Sequence, residues 1–155
     1  MRRQVLGMFA AGLVLITPQW AGGQARPTYE PATEGTRVLE SSSGAVIKVL
    51  VEASNLGGDE VELSEITFPP SPAAAPRGHT HGRVEVLYIL SGELDHVVNG
   101  VSHRLRTGMV GLVRPGDDVV HRVVSAEPVK ALVVWAPGGE AARLAPSMRE
   151  RPLPR

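Results

Sequence analysis

The stretch Gly78–Gly92, GHTHGRVEVLYILSG, places two histidines one residue apart and a glutamate four residues after the second, just ahead of an apolar run. Side chains two residues apart lie on the same face of a β-strand. His79 and His81 can therefore direct their imidazoles at one point, with Thr80 turned away. After a short turn, Glu85 can open the next strand from the same side. The stretch predicts two short strands that bring three metal-binding side chains together.

The composition of the 155-residue chain is that of one soluble globular domain, with 43% hydrophobic and 21% charged residues and a formal net charge of zero. Its 16 basic residues are neither clustered nor interleaved with aromatic ones, so nothing favours a nucleic-acid partner. The expected partner is a small molecule. Because the chain has no cysteine, disulfides and thiolate-bound metals are excluded, and a metal must be held by nitrogen and oxygen ligands.

The first 25 residues have the features of an export signal. Two arginines precede a twelve-residue apolar stretch, Val5–Ile16, and small residues follow up to Ala25. A retained membrane anchor is the alternative, but twelve residues at about 1.5 Å each are too short for a hydrocarbon core of about 30 Å. We expect residues 1–25 to be a cleaved signal peptide and the mature protein to be periplasmic or secreted without a stable membrane span. Sec and twin-arginine export both stay open.

The rest of the chain alternates short apolar runs with turn residues. Eight runs of five to nine residues, rich in Val, Ile and Leu, lie between Ala45 and Ala136. This spacing predicts an all-β sandwich or small barrel of antiparallel strands. We expect a flexible N-terminal arm at 26–36, one β-domain at 37–137 and a C-terminal tail at 138–155. The tail should form a brief helical turn at Glu140–Leu144 and then be solvated.

One hairpin can be predicted residue by residue. Asn99 and Gly100 are the preferred pair for a two-residue type I′ turn, which fixes the register of the strands on either side. The face that carries His96 and His103 is expected to turn inward, and the opposite, charged face should lie in water. The predicted pairs are Val98 with Val101, Val97 with Ser102, His96 with His103, Asp95 with Arg104, Leu94 with Leu105, and Glu93 with Arg106.

A fourth metal ligand is offered by a later strand. The stretch RPGDDVVHRVV places His121 on a strand entered from a Pro-Gly turn. Imidazole and carboxylate groups suit iron(II), manganese, nickel, cobalt, copper or zinc. Three or four such ligands leave positions open for substrate or water, as a catalytic metal requires. We predict that His79, His81, Glu85 and His121 are metal ligands; the alternative for the first two histidines alone is an exposed strand edge.

Three neighbours of these residues have less distinctive roles. Arg83 is expected to be solvated or to contact an anion. Tyr88 lies on the opposite face of its strand from Glu85 and is expected to pack on the outside. Trp135 is expected either to line the cavity or to close the sheet.

At the metal ligands the sequence resembles the cupin superfamily. The first cupin motif is His-x-His, three or four residues, Glu, six residues, Gly. It is matched without a gap by His79, His81, Glu85 and Gly92. The glycine that usually stands six positions before the first histidine is replaced here by Ala73.

The second cupin motif is matched more loosely. The family pattern is Gly, five residues, Pro-x-Gly, two residues, His, with Asn four positions later. Gly108, Pro115, Gly116 and His121 occur in that order, but the turn is remodelled and Ser125 occupies the Asn position. The resemblance covers roughly residues 45–136. It makes His121 a less direct match than the three ligands of the first motif.

The resemblance implies a double-stranded β-helix of jelly-roll form, like that of RmlC. It also implies one divalent transition metal, iron, manganese, nickel or zinc, near the wide end of the barrel, and often a homodimer.

Two functional hypotheses follow. The first is an exported metal-dependent enzyme that acts on a small, oxygen-chelating organic substrate. With iron the resemblance implies a dioxygenase, and with another metal a Lewis-acid lyase, isomerase or decarboxylase is equally open. His96 and His103 are then the candidate catalytic residues, although they can also simply hydrogen-bond each other or water. The alternative is a non-catalytic protein that binds the metal and a small ligand.

Overall fold

The architecture consists of two antiparallel β-sheets, in a computed structural model that describes residues 29–70 and 78–153. The predicted signal peptide, residues 1–25, lies outside the described residues. Among the residues that are described, we find no helix with the length and apolar character to cross a membrane.

The larger sheet has seven strands, each antiparallel to its neighbours. In spatial order they are β11 (Arg149–Arg151), β1 (Arg37–Glu40), β2 (Val46–Val51), β3 (Glu62–Phe68), β10 (Val129–Ala136), β5 (Val84–Ser91) and β8 (Val110–Val113).

The smaller sheet has four strands, also antiparallel. In spatial order they are β4 (His79–Thr80), β9 (Asp118–Val123), β6 (Glu93–Val98) and β7 (Val101–Arg106). The remaining elements of the described ranges are α1 (Ala53–Leu56), α2 (Glu140–Leu144) and a 3-10 turn at Ala145–Ser147. The all-β jelly roll predicted from the sequence is confirmed.

The core lies between the two sheets. It is built from the inward-facing residues, which alternate with outward-facing ones along each strand. Along β5, Leu87 and Ile89 are buried, whereas Tyr88 between them is exposed on the outer face, as predicted. Val113 and Val123 are also buried. The core cluster consists of Leu39, Ile47, Val49, Ile66, Leu87, Ile89, Leu94, Leu105, Val123, Val129, Ala131, Val133, Trp135 and Ala141.

The register predicted for the β6–β7 hairpin is confirmed at all six residue pairs. Asn99 and Gly100 have φ values of 50° and 79°, and a type I′ turn requires positive φ at both of these positions. Because β9 pairs with the other edge of β6, His96 lies opposite His121 as well as opposite His103. The hairpin therefore delivers His96 to the neighbourhood of a predicted metal ligand.

The prediction that the charged face of this hairpin lies in water is wrong for Asp95, which is only 6% exposed. Its carboxylate pairs with Arg122 of β9, with Nη1 and Oδ2 3.0 Å apart. Arg104, its predicted partner, instead lies 3.5 Å from a carboxylate oxygen of Glu93. The hairpin alone could not reveal this, because the competing cation comes from a strand on the other side of β6.

The C-terminal segment is more ordered than the sequence predicts. The helical turn at Glu140–Leu144 is confirmed as α2. The expectation of a solvated tail after it is wrong for the backbone of Arg149–Arg151, which pairs with β1 as an edge strand. The side chains of these three residues do remain exposed, and Arg149 and Arg151 form ion pairs with Glu40.

Candidate metal centre

The four predicted metal ligands lie close together in the structure. His79 is on β4, and His81 is the first residue after that strand. Glu85 is on β5 and His121 is on β9. The ring centroids of His79 and His81 are 4.7 Å apart, and those of His79 and His121 are 5.6 Å apart. The carboxylate of Glu85 lies between two imidazoles, 3.2 Å from Nε2 of His81 and 3.5 Å from Nε2 of His121.

A backbone hydrogen bond ties the two sequence motifs to each other. Gly116 adopts a positive φ of 87° in the turn before β9, and its N–H donates to the carbonyl oxygen of His81 over 2.9 Å. This contact fixes the start of the strand that carries His121 against the segment that carries His81.

Three polar atoms of this cluster are buried and have no hydrogen-bond partner among the residues that the structure describes. They are Nε2 of His81, Oε1 of Glu85 and Nε2 of His121. The side chains of His81, Glu85 and His121 are 3%, 2% and 8% exposed, whereas His79 lies on the exposed rim. A buried polar atom without a partner costs about 1–3 kcal/mol. A divalent cation would satisfy all three atoms at once.

The chemistry and spacing of these donors fit a metal ion. Bonds of about 2.1 Å place neighbouring ligand atoms about 3.0 to 3.4 Å apart in octahedral or tetrahedral geometry. The two oxygens of Glu85 each have one distance close to that range: Oε2 lies 3.2 Å from Nε2 of His81, and Oε1 lies 3.5 Å from Nε2 of His121. Within the described ranges, no group of three or more His, Asp or Glu side chains is already arranged to hold a metal. The fit therefore rests on the donors and these two distances.

Trp135 determines where the Glu85 carboxylate points. The two residues are paired across β10 and β5, and the indole Nε1 donates to Oε2 of Glu85 over 2.8 Å. Burial raises the pKa of Glu85, because a desolvated carboxylate is costly without a positive partner. Of the two predicted roles for Trp135, closing the sheet fits its 1% exposure.

His81 has a second carboxylate partner that the sequence does not reveal. Its Nδ1 lies 2.9 Å from Oε1 of Glu140. Glu140 is the first residue of α2, and its side chain is completely buried. Although burial raises the pKa of Glu140, hydrogen bonds from His81 and Arg143 lower it to about 2. Glu140 is thus an ionised carboxylate in direct contact with a predicted ligand.

Arg83 also belongs to this contact, and the expectation that it is solvated is wrong. Its side chain is 19% exposed, and Nε lies 3.1 Å from Oε2 of Glu140. Its Nη1 donates to the carbonyl oxygens of Pro137 and Gly138. The anion that Arg83 contacts is therefore a carboxylate of the same chain.

Two histidines of the cluster, His79 and His121, are held in the neutral form. Although His79 lies on the rim, partial burial of its ring, followed by repulsion from His81, lowers its pKa to about 4. Burial lowers the pKa of His121 well below its usual value, with further repulsion from its histidine neighbours. Only a neutral imidazole has a lone pair to offer to a metal. The environment therefore favours the metal-binding form of these side chains near neutral pH.

The two predicted catalytic histidines have different environments. His96 is 2% exposed and its ring stacks on that of His121, with centroids 5.2 Å apart and planes at 12°. His103, its cross-strand partner on the same face, is exposed and so lies at the rim. Both line a cavity of about 640 Å³ between β7 and β8. His96 therefore lies between this cavity and His121.

Comparisons with known proteins agree with the fold. A family model described as a cupin domain matches residues 64–135. The endoribonuclease YbeY of Myxococcus xanthus (strain DK1622) is 33% identical over 89 residues, covering 56% of this chain and 29% of that protein. The chain thus spans less than a third of this relative's length.

Solved structures show the same architecture. A predicted oxalate decarboxylase from Thermotoga maritima superposes with a TM-score of 0.57 at 20% identity, covering 66% of this chain and 93% of that one. An RmlC-like cupin from Shewanella frigidimarina NCIMB 400 superposes with a TM-score of 0.55 at 22% identity, covering 77% and 96%. At these identities the likeness concerns the fold. The family model therefore identifies a cupin domain at residues 64–135 of this chain, and the solved structures agree with it in fold.

Proposed function

We propose that this protein is a metal-dependent cupin enzyme, in which His79, His81, Glu85 and His121 hold one divalent transition metal. The observation that carries the proposal is the set of three buried, unpartnered atoms on three of these side chains. The three atoms come together from separate segments of the chain. All three are hydrogen-bond acceptors when both imidazoles are neutral and carry their lone pairs on Nε2. Acceptors that face each other in a buried site call for a cation.

The substrate class that we propose is a small organic acid, enol or diketone that binds through oxygen atoms. The metal would polarise such oxygens as a Lewis acid, and a redox-active metal would also support oxygenation. The cavity beside His96 has a volume of about 640 Å³, within the range of small-molecule sites. The Thermotoga maritima protein is named a predicted oxalate decarboxylase, and oxalate is a small, oxygen-rich acid of this class.

The chain's own residues would organise this site. Trp135 holds Oε2 of Glu85, so that Oε1 stays directed toward His121. The Nδ1 atom of His96 is buried without a partner within residues 29–70 and 78–153, and the ring borders the cavity. We propose His96 as the side chain that exchanges a proton with a bound substrate. The exposed His103 would contact substrate only at the rim.

The metal proposal is tested by metal content and calorimetric titration. After chelation, the protein should bind one equivalent of Mn²⁺, Fe²⁺, Ni²⁺ or Zn²⁺, and His81→Ala should abolish binding. His103→Gln is the matched control, since it removes an imidazole outside the ligand set and should keep full stoichiometry. Binding that survives His81→Ala, or an absence of binding in the wild type, would contradict the proposal.

The proposed activity is tested with the metal-loaded protein. Phenolic, diketone and hydroxy-acid compounds would be screened for oxygen uptake and for product formation without oxygen. Turnover that is lost in His96→Gln supports the enzyme proposal. Tight binding of a panel compound without any turnover would instead support the non-catalytic alternative.

We further propose that the protein acts outside the cytoplasm. The basis is the N-terminal sequence alone. Sequencing of the mature N-terminus after expression in a bacterial host should give a start at Arg26. A mature protein that keeps residues 1–25 would contradict this.

A further inference from the structure

Glu140 is a buried charged residue for which the sequence motifs give no reason. It is 59 residues away from His81 in the chain and lies on the short helix α2, after the last strand of the barrel core. Its side chain is completely buried. Helix α2 has only five residues, so its own stability does not explain why a carboxylate is brought to this place.

The contact between His81 and Glu140 determines which nitrogen of the imidazole carries the proton. The carboxylate of Glu140 lies against the guanidinium groups of Arg83 and Arg143, which stabilise its ionised form, and an ionised carboxylate can only accept hydrogen bonds. With Nδ1 2.9 Å from Oε1 of Glu140, the proton of the neutral ring belongs on Nδ1. The lone pair is then on Nε2, the atom that faces Glu85 at 3.2 Å. Metal-binding histidines generally have such a partner on the nitrogen that does not bind the metal.

We propose that Glu140 is a positioning residue of the metal centre, which holds His81 as the Nδ1–H tautomer and presents its Nε2 to the metal. The part that concerns the metal rests on the proposed function. The part that concerns the tautomer is a property of the protein without metal.

Contacts on all sides hold the Glu140 carboxylate in place. Arg83 approaches Oε2 and Arg143 donates to Oε1, over 3.1 and 3.0 Å. The helix itself is anchored by Glu62, a second buried carboxylate, which accepts the backbone N–H groups of Gly139 and Ala141 over 2.9 and 2.7 Å. The C-terminal segment therefore supplies a rigid carboxylate to the site.

The tautomer is measured first, by ¹⁵N NMR of the imidazoles in metal-free protein. The wild type should show His81 protonated on Nδ1. Glu140→Leu removes the acceptor with little change in size, and His81 should then populate the Nε2–H form. Glu140→Gln keeps an acceptor oxygen and should retain the Nδ1–H form. An Nε2–H tautomer in the wild type, or no change in Glu140→Leu, would overturn the proposal.

Metal affinity is measured next, by titration with Zn²⁺. Loss of such a partner commonly weakens metal binding about 10- to 100-fold, and Glu140→Leu should fall in this range, with a smaller effect for Glu140→Gln. Glu62→Gln is the matched control, because it changes a buried carboxylate that docks the same helix without touching His81. It should leave the tautomer unchanged and the Zn²⁺ Kd within about twofold, even where it lowers Tm.

The outcomes separate this proposal from the metal proposal. If Glu62→Gln weakened Zn²⁺ binding as much as Glu140→Leu, helix docking rather than the His81 contact would be responsible, and the inference would fail. If the wild type bound no metal but kept the Nδ1–H tautomer, the metal proposal would fail while the role of Glu140 toward His81 would stand.

Discussion

Trp135 and Glu85 are paired across neighbouring strands, and the indole Nε1 donates a hydrogen bond of 2.8 Å to Oε2 of the carboxylate. Both side chains are buried. The bond satisfies one oxygen of Glu85 and leaves Oε1 without a hydrogen-bond partner in the described part of the chain, 3.5 Å from Nε2 of His121. Trp135 thus determines which oxygen remains free for a cation.

The first prediction concerns this hydrogen bond. Trp135→Phe keeps an aromatic ring but removes the donor, so a second oxygen of Glu85 is left unsatisfied. We expect the free energy of unfolding of the metal-free protein to fall by about 1–3 kcal/mol, and metal binding to weaken because the carboxylate can turn. Urea denaturation and calorimetric titration measure the two effects. Tyr88→Phe, on the outer face, is the control and should change stability by less than about 0.5 kcal/mol. Equal effects of the two substitutions would contradict the prediction.

The sequence predicts those parts of the site that depend on strand periodicity. His79, His81 and Glu85 come together because of their spacing, and the turn at Asn99 and Gly100 fixes the hairpin in full. Such features are local, so each can be derived from a few neighbouring residues.

The partners that surround the site could not be predicted in the same way. Trp135 and Glu140 reach Glu85 and His81 across 50 and 59 residues of chain. Arg122 displaces Arg104 as the partner of Asp95 because β9 lies beside β6. These contacts depend on how strands and the last helix pack, which no short pattern in a single sequence contains.

The second prediction is that Glu85→Gln removes the gain in stability on metal binding without destabilising the metal-free protein. Burial raises the pKa of Glu85, so the ionised carboxylate is disfavoured in the metal-free protein. The amide removes that charge, and we expect metal-free Glu85→Gln to be at least as stable as the wild type. A metal at 100 times its Kd stabilises a folded protein by about 2.7 kcal/mol, and this gain should be absent in the variant. Unfolding with and without Zn²⁺ measures both quantities. His103→Gln should retain the gain, and a gain of equal size in Glu85→Gln would refute the assignment of Glu85 as a ligand.

The third prediction concerns pH and the metal-free protein. Burial lowers the pKa of His96 below 6.5, as it does for His79, whose pKa is about 4. As pH falls below 6.5, the unfolded chain takes up protons that the folded protein does not, so these histidines reduce stability. The loss due to His79 is complete below about pH 4. Glu85 acts in the opposite direction, because its pKa is raised.

A comparison of variants separates these opposing effects. The free energy of unfolding is measured between pH 7 and pH 4 in a chelator, for the wild type and for His96→Gln. Glutamine does not titrate, so the wild type should lose more stability than the variant over this interval. If the free energy of unfolding fell equally with pH in both proteins, His96 would not contribute to the pH dependence of stability.

The fourth prediction concerns the space that Gly111 leaves for His96. A Cβ atom at this position would lie 2.7 Å from Cδ1 of Leu105 and 3.1 Å from Cδ2 and Nε2 of His96. Leu105 can move its terminal methyl group, but the His96 ring is fixed between this strand and the ring of His121. Gly111→Ala should therefore displace His96 and cost about 1–3 kcal/mol of stability through overpacking. Because the two rings stack, metal binding through His121 should weaken as well.

Gly82→Ala is the matched control for this substitution, since no heavy atom of the described residues, apart from Gly82 and its two chain neighbours, lies within 4 Å of an added Cβ. An alanine in open space restricts the unfolded chain and should raise stability by about 0.4–1 kcal/mol. Chemical denaturation of the two variants thus measures the same added methyl group with and without a neighbour. If Gly111→Ala were as stable as Gly82→Ala, the His96 ring could move away from the added methyl group at no cost. The ring would then not be held in a fixed position against His121.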